Sequence, residues 1–368
     1  MRILVLGPSD MLHLRRLVTA FVQRGHRVHV VSMRRDPIPG ATFERYRVPP
    51  FGLRHPHGWT RRRASLVRRW FQEYDVVTVH YLADWGIDRP PLGGARLIVK
   101  PYGSDVDPPP GADPLPEKLV AARRRLLEVA DLVVTDADLF QDTVARFGRI
   151  DAVKMATAPI GVDMEMFAPS PPSSRHCPVI GSHRGFHHAS NPLLLIDAAA
   201  KVLLMRPDVK FELAGAGVQR EACVARAESL GIQHAVRWLG QVDHESLPRV
   251  MSDWDIAAIA SKRESFCVSA LEASAMEIPV VATRVGGLVE TVRHQQTGLL
   301  VPPDDADSFA HALLTLLADH DLRFRMGAAG RRFVARHFEW TRAVDRWLEL
   351  FESSLAVAPA PRRESNLV

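Results

Sequence analysis

The stretch Ser261–Thr283, SKRESFCVSALEASAMEIPVVAT, carries two carboxylates, Glu264 and Glu272, eight positions apart. An apolar strand end leads into it, a short loop holds Glu264, and a helix opens near Cys267. The first helical turn, Cys267, Val268, Ser269 and Ala270, contains no acid. Its backbone N–H groups lack intrahelical acceptors and sit at the positive end of the helix dipole, so this turn suits a bound phosphate. A carboxylate in the loop before the helix can accept hydrogen bonds from sugar hydroxyls. One inside the helix can accept them from a ribose diol. The spacing alone describes two solvated surface carboxylates equally well. Cys267 invites a reading as a catalytic thiol, but no step in this chemistry needs one.

The pair gains meaning from the elements around it. Residues 2–6 (RILVL) form an apolar run that ends in a Gly-Pro turn. Leu12–Gln23 has helical periodicity and stops at Gly25, and Arg27–Ser32 is a second strand, completing a β-α-β unit. Further strands are expected at Asp75–His80, Arg96–Lys100 and Asp131–Thr135, with a helix over Glu117–Val129. Around Pro169–Cys177 the composition turns to Pro and Ser, a linker signal. A second series follows: strands at Val179–Gly181, Val209–Ala214, Val236–Leu239, Ile256–Ala260 and Val280–Thr283. Helices at Pro192–Met205, Arg220–Leu230, Ser246–Met251 and Cys267–Ala275 alternate with them. Short, fully apolar strands between helices imply parallel sheets covered on both faces. The expected fold is α/β, with two Rossmann-like doubly wound parallel-sheet domains facing a cleft. Ligands of such sheets bind at the carboxyl ends of the strands. The expected divisions are 1–168, a linker at 169–177, 178–340, a final amphipathic helix at 341–355 and a disordered tail at 356–368. Helices are also expected at Asp307–Ala318 and Leu322–Phe338.

Composition narrows the function classes. The chain has 368 residues, 46% hydrophobic and 24% charged, as expected for a soluble globular protein of two domains. No run is long and apolar enough to span a bilayer, and the start, Met1–Gly7, is too short for a signal-peptide core. Three cysteines, Cys177, Cys223 and Cys267, are too scattered for a zinc site or disulfide scaffold. A cytoplasmic location is expected. Residues 1–168 hold 25 Lys and Arg against 19 Asp and Glu, whereas the rest holds 22 against 23. The excess sits in the runs Arg61–Arg63, Arg68–Arg69 and Arg123–Arg125. These read as solvated helix faces, or as contact with an anionic acceptor or the inner membrane surface. Nucleic acid is not expected, because the runs lack interleaved aromatics and no recognition motif accompanies them. The G-x-G-x-x-G of dinucleotide oxidoreductases is absent from the first loop, Gly7-Pro8-Ser9-Asp10.

The block from Glu264 through Phe266, Glu272, Ala273, Ala275 and Pro279–Ala282 resembles the E-x7-E block of glycosyltransferase family 4, the retaining "group 1" enzymes of GT-B fold. Co-linear matches extend it: Gly161-Val162-Asp163 with Phe167, Ala214–Gly217, Leu239–Val242, Gly286-Gly287 with Glu290, and Thr297–Val301. The resemblance is strong over roughly 155–340 and looser over 1–150. It implies transfer of a sugar from a nucleoside diphosphate, uridine favoured, to a hydroxyl acceptor, with no cofactor and no metal. Three Asp-x-Asp triplets, Asp105–Asp107, Asp136–Asp138 and Asp305–Asp307, have a pattern that holds metal–diphosphates in another glycosyltransferase fold. Their number shows how cheaply the pattern arises.

By the same resemblance, Glu264 meets the transferred sugar and Glu272 the ribose. The amides of Phe266, Cys267, Val268 and Ser269 face the sugar and diphosphate, where fixed donors stabilise the leaving charge. Gly7 matches one of two first-loop glycines, and backbone groups near Gly240–Val242 meet the base. Arg184 matches a phosphate-binding Arg. The Lys that accompanies it is replaced by Ser190, so one cation is missing, with His183, His187 or His188 as partial substitutes. Ser265 and Cys267 replace two glycines beside Phe266 and narrow the sugar's space. In KPYGSD, Asp105 is the candidate to orient or deprotonate the acceptor, against a reading as a turn cap. Tyr102, His80 and His13 are acceptor-side candidates. The rival functions are a nucleotide-sugar 2-epimerase of the same fold and a catalytically weakened sugar-nucleotide-binding protein.

Overall fold

The structure, a computed structural model, describes residues 1–46, 57–83, 85–87, 93–107, 115–169 and 177–357, with the backbone alone for 57–64. The expected linker at 169–177 and tail at 356–368 therefore lie mostly outside the described residues. The chain divides into two compact units. The first takes the described residues of Met1–Pro108, Asp113–Ala158 and Val344–Val368; the second takes those of Pro159–Ala343.

In the first unit, β1 (Arg2–Leu6), β2 (Arg27–Ser32), β3 (Thr42–Arg45), β4 (Val76–His80), β5 (Arg96–Lys100), β6 (Leu132–Thr135) and β7 (Met155–Thr157) form a sheet ordered β3-β2-β1-β4-β5-β6-β7. Every pair is parallel. Helices α1 (Leu12–Gln23), α2 (His57–Glu73), α3 (Glu117–Val129) and α4 (Asp138–Gly148) belong to the same unit. The central strands are buried along their length, as the apolar runs require. The edge strand β3, with sequence TFER, is mostly exposed and lacks an apolar pattern, so the sequence reading missed it. Helix α2 was missed because its Arg-rich sequence hides the buried Trp70 and Phe71.

The second unit repeats the plan. Strands β8 (Val179–His183), β9 (Lys210–Ala214), β10 (Val236–Gly240), β11 (Ile256–Ile259), β12 (Val280–Thr283) and β13 (Gly298–Val301) are ordered β10-β9-β8-β11-β12-β13 and are all parallel. Helices α5 (Pro192–Met205), α6 (Arg220–Ser229), α7 (Leu247–Met251), α8 (Val268–Ala275), α9 (Leu288–Thr291), α10 (Ala306–Ala318) and α11 (His320–His337) complete it. Its core includes Phe211, Leu213, Ile256 and Val281 from the sheet and Leu195, Phe309 and Leu313 from helices. In both sheets the strand order reverses between the first and fourth strands of the set, at β1/β4 and at β8/β11. Such a reversal separates the outgoing loops and leaves a crevice for a ligand.

The last helix, α12 (Trp340–Ala356), has a strong apolar stripe, and its residues from Val344 onward belong to the first unit. Trp347 stacks on His80 with ring centroids 5.5 Å apart and meets Phe351 at 5.7 Å; Phe351 meets Phe21 of α1 at 5.4 Å. Lys100 and Asp136 form a buried ion pair beneath Trp347, with Lys100 Nζ 5.6 Å from the indole centroid. The Arg123–Arg125 run is not a free basic face. Arg123 is buried and donates to the carbonyls of Leu82 at 2.8 Å and Asp105 at 2.6 Å, and Arg124 donates to Phe147 O at 2.9 Å. No described helix is long and apolar enough to cross a membrane. Replacing Trp347 by Ala should cost about 3–5 kcal/mol, the usual loss for a buried aromatic. Urea denaturation of both proteins measures it, and a loss under about 1 kcal/mol would show that α12 is not anchored by this indole.

Candidate active site

Strand β8 ends at His183, and Arg184 follows at the strand's carboxyl end. Strand β11 lies beside it, and its outgoing loop carries Ser261 and Glu264 to the same edge. The two loops meet there: a terminal nitrogen of Arg184 donates to Glu264 Oε2, and its other one reaches Ser269 Oγ at 3.4 Å. Ser261 Oγ adds a contact to Glu264 at 3.4 Å. The side chains are 24% and 12% exposed, so the pair is partly desolvated yet reachable. Arg184 Nε has no partner among the described residues. Behind the pair, Gly287 N–H donates to Glu264 O at 2.9 Å. A Cβ on Gly286 would sit 2.0 Å from that same carbonyl, and one on Gly287 would sit 2.4 Å from Ser265 O. This pair of glycines lets the two loops touch backbone to backbone.

Helix α8 begins at Val268 with Cys267 as its N-cap, at φ 84°. That left-handed conformation costs a residue with a side chain about 1–2 kcal/mol, which explains why glycine suits the position. The Cys267 thiol is buried, and burial pushes its pKa up to about 12. The catalytic-thiol reading has no support in such a group. Phe266 is buried against Phe338, with ring centroids 5.6 Å apart, so its side chain packs and only its backbone remains as a candidate contact. Val268 and Ser269 occupy the acid-free first turn of α8.

Glu272 lies one turn inside α8 and is 4% exposed. His183 Nε2 donates to one carboxylate oxygen at 2.8 Å and His244 Nε2 to the other at 2.8 Å. Burial alone would raise this carboxyl's pKa, but the two imidazoles outweigh it and hold Glu272 well below the usual carboxylate range. His183 therefore faces Glu272, which corrects its expected role as a substitute phosphate cation. The sequence reading missed His244 altogether. It sits just past the Gly240–Val242 segment, and only the fold carries it to α8. Gly240 is a left-handed residue at the end of β10, and its carbonyl accepts from Gly215 N–H at 2.7 Å; Val242 is half-buried beyond it. Ser190 is buried and lines a small recess with Arg184. Nearby, Lys262 N–H donates to Ala189 O at 2.8 Å, and Lys262 Nζ lies 3.1 Å from Asp304.

The acceptor-side candidates fall in the first unit and fare differently. Asp105 is fully buried: one carboxylate oxygen accepts from Tyr102 N at 2.9 Å and Gly103 N at 3.0 Å, the other from Leu82 N at 2.9 Å. These contacts are those of the turn-cap reading of Asp105, and they occupy both carboxylate oxygens with backbone donors. His80 is buried between Tyr102 Oη at 2.9 Å and Thr78 Oγ1 at 3.2 Å. Burial and the nearby Lys100 lower its pKa to about 3. Tyr102 turns its hydroxyl inward to His80, and burial raises its pKa well above the ordinary phenol. Gly7 packs on His80, whose carbonyl a Cβ would approach to 3.0 Å. His13 is half-buried in the first turn of α1. The Asp-x-Asp triplets each lead with a structural residue: Asp105 clamps its loop, Asp136 pairs with Lys100, and Asp305 caps α10 through Ser308 N at 2.9 Å. Among the described residues no cluster of His, Cys, Asp and Glu is arranged to hold a metal ion.

Comparison with known proteins bears on this arrangement. Residues 173–333 match the family described as "Glycosyl transferases group 1", and residues 12–166 match "Glycosyltransferase Family 4". A D-inositol 3-phosphate glycosyltransferase of Xylanimonas cellulosilytica is 31% identical over 78% of this chain and 74% of its own length. The namesake of Corynebacterium urealyticum is 30% identical over 65% of this chain, and the match spans only 60% of that relative's length. In fold, the chain resembles Anabaena HepE in complex with UDP-glucose, with a TM-score of 0.79 at 20% identity over 96% of this chain and 100% of that one.

Two measurements follow from the site chemistry. Burial raises Cys223 to about 11 and Cys267 to about 12, while Cys177 is half-exposed. Iodoacetamide at pH 8 should therefore alkylate Cys177 alone in the folded protein, as read by peptide mass mapping; a labelled Cys267 would contradict the buried thiol. Glu272 is depressed below its unfolded value of 4.5, so its stabilisation is complete above that pH and is lost as the pH falls. Glu272→Gln should flatten the fall of Tm below pH 4.5 relative to wild type, and parallel curves would refute the coupling.

Proposed function

Because this chain belongs to the group 1 and family 4 glycosyltransferases, enzymes of nucleotide-sugar donors, we infer that it transfers a sugar from a UDP-sugar to a hydroxyl acceptor with retention at the anomeric carbon. The observation that carries the reading is the Arg184–Glu264 pair held over the acid-free first turn of α8, at the point where the second sheet reverses its strand order. An anion there meets a guanidinium and free helix amides, while a carboxylate beside it accepts hydrogen bonds from sugar hydroxyls. On this reading the second unit holds the donor and the first the acceptor. Glu264 orients the transferred sugar, Arg184 and the amides of Val268 and Ser269 stabilise the diphosphate as it leaves, and Glu272 lies toward the ribose. The departing diphosphate takes the acceptor's proton, so no carboxylate nucleophile is required.

HepE, seen with UDP-glucose, puts that donor first in a panel of UDP-sugars, and the relatives' names put D-inositol 3-phosphate among the acceptors to try. Release of UDP and formation of glycoside are measured with and without acceptor. Wild type should form a glycoside with retained configuration; UDP release that needs no acceptor and yields an epimer would favour the isomerase. Arg184→Ala should lower kcat by about 10²–10³, the usual loss of one fixed donor at a developing charge. Glu264→Ala should lower it at least as far, with circular dichroism showing the fold retained. Undiminished turnover in both variants would sink the assignment.

A further inference from the structure

Three titratable side chains meet inside the second unit: Glu272, His183 and His244. The carboxylate is 6% exposed, and the two imidazoles are 7% and 13% exposed. Each imidazole donates from Nε2 to a different oxygen of Glu272 at 2.8 Å. An ionised carboxylate offers about four acceptor sites, two on each oxygen. The imidazoles take one on each, and no other side chain among the described residues donates to this group. One acceptor site per oxygen is left, which is what the two hydroxyls of a cis-diol require.

Each ring is itself held from behind. His183 lies against Trp254, with ring centroids 5.7 Å apart. The indole Nε1 donates to buried Glu212 at 3.1 Å, and Arg237 donates to the other oxygen of Glu212 at 3.0 Å. Gly181 makes room for this indole, since a Cβ there would lie 1.8 Å from it. His244 lies against buried Phe167, with centroids 5.2 Å apart. Arg331 fixes that segment by donating to the carbonyls of Phe167 at 3.1 Å and Met164 at 3.3 Å, and it also donates to Ala275 O at the end of α8. The support behind the second ring is thus tied to the helix that carries Glu272. Supporting contacts of this depth hold a side chain to one geometry.

Packing alone does not call for such a cluster. A well-packed apolar side chain often holds a helix as firmly as a buried charge, without the cost of desolvating it. The cluster also lies one turn inside α8 from the amides of Val268 and Ser269, and His183 directly precedes Arg184. We propose that His183 and His244 are positioning residues for the nucleotide: they hold the Glu272 carboxylate in one orientation, so that its two remaining acceptor sites meet the ribose diol and select ribonucleotides over 2′-deoxyribonucleotides. The proposal rests on the reading of Glu272 as the ribose contact made above, and the roles of the two histidines go beyond it.

Calorimetry on the full chain compares UDP with 2′-deoxyuridine diphosphate, with the adenosine and guanosine pairs alongside. The nucleotide that binds tightest should exceed its 2′-deoxy counterpart by about tenfold or more, the usual effect of a hydrogen bond to a charged group. His183→Ala and His244→Ala should each reduce that ratio to about threefold or less, by weakening the ribonucleotide while the deoxynucleotide keeps its affinity. His244→Gln, which restores an N–H donor, should recover most of the ratio. Circular dichroism checks each fold, and Asn variants at the two positions, with a shorter amide, take the place of Ala where Ala unfolds the chain. A purely structural tie weakens both nucleotides together. That result, a ratio that the variants leave intact, or a wild type without ribose preference overturns this inference alone. If no nucleoside diphosphate binds, the transferase reading falls and this inference with it. A ribose preference that follows the histidines in a protein that transfers no sugar removes the transferase reading and leaves the positioning roles standing.

Discussion

The buried carboxylate of Glu272 is the constraint around which the second unit is organised. A charge 4% exposed would be expensive to keep ionised in isolation. Two imidazole N–H groups, one on each oxygen, make it tolerable. They come from places far apart in the chain: His183 from the end of β8 and His244 from the segment after β10. Neither imidazole is free to wander, since His183 packs on Trp254 at 5.7 Å and His244 on Phe167 at 5.2 Å. One carboxylate therefore fixes α8 against the outgoing ends of two strands. Breaking such a tie is costly because it strands a buried charge.

With α8 fixed, its N-terminus is aimed. Arg184 directly follows His183, so the residue that grips Glu272 also sets the start of the chain that reaches Glu264. The Gly286-Gly287 backbone closes the far side of the Glu264 loop. Arg184 and Glu264 thus sit on rigid elements and tight backbone contacts, the kind of support that the charge-stabilising role proposed above requires.

The first unit uses the same sheet plan with different chemistry at the reversal point. Its polar groups are consumed internally: Lys100 by Asp136, His80 by Tyr102 and Thr78, and Asp105 by three backbone amides. Among the described residues its crevice is lined by Pro8, Met11, Met33 and Trp85, with Asp10 and Arg34 paired at its edge. The second unit keeps a guanidinium and a carboxylate partly accessible at its own reversal point. The shared strand order around the reversal permits both, because strand order makes the crevice and the loops choose its lining.

The amino-acid sequence by itself determined the two parallel sheets, most of their strands and the acid-free turn at Cys267–Ala270, because burial on both faces leaves continuous apolar runs. It carried the Glu264–Glu272 block for the same local reason: a strand, a loop and a helix lie consecutively in the chain. It missed β3, β7, β13, α2, α4 and the short α9, where exposure, shortness or a polar sequence masks the pattern. Only the tertiary structure decided what each polar side chain does. Asp105 in KPYGSD reads equally as an acceptor-side group or a turn cap, and the fold adds the distant amide of Leu82 to that of Tyr102 on its carboxylate. Arg123 reads as part of a basic face and turns inward to two carbonyls. His244 carries no local signal at all, since its partner is 28 residues away. Spacing encodes what neighbours in the chain can do; pairing between distant charged and polar groups is settled by the cost of burying them, which arises only once the sheets have formed.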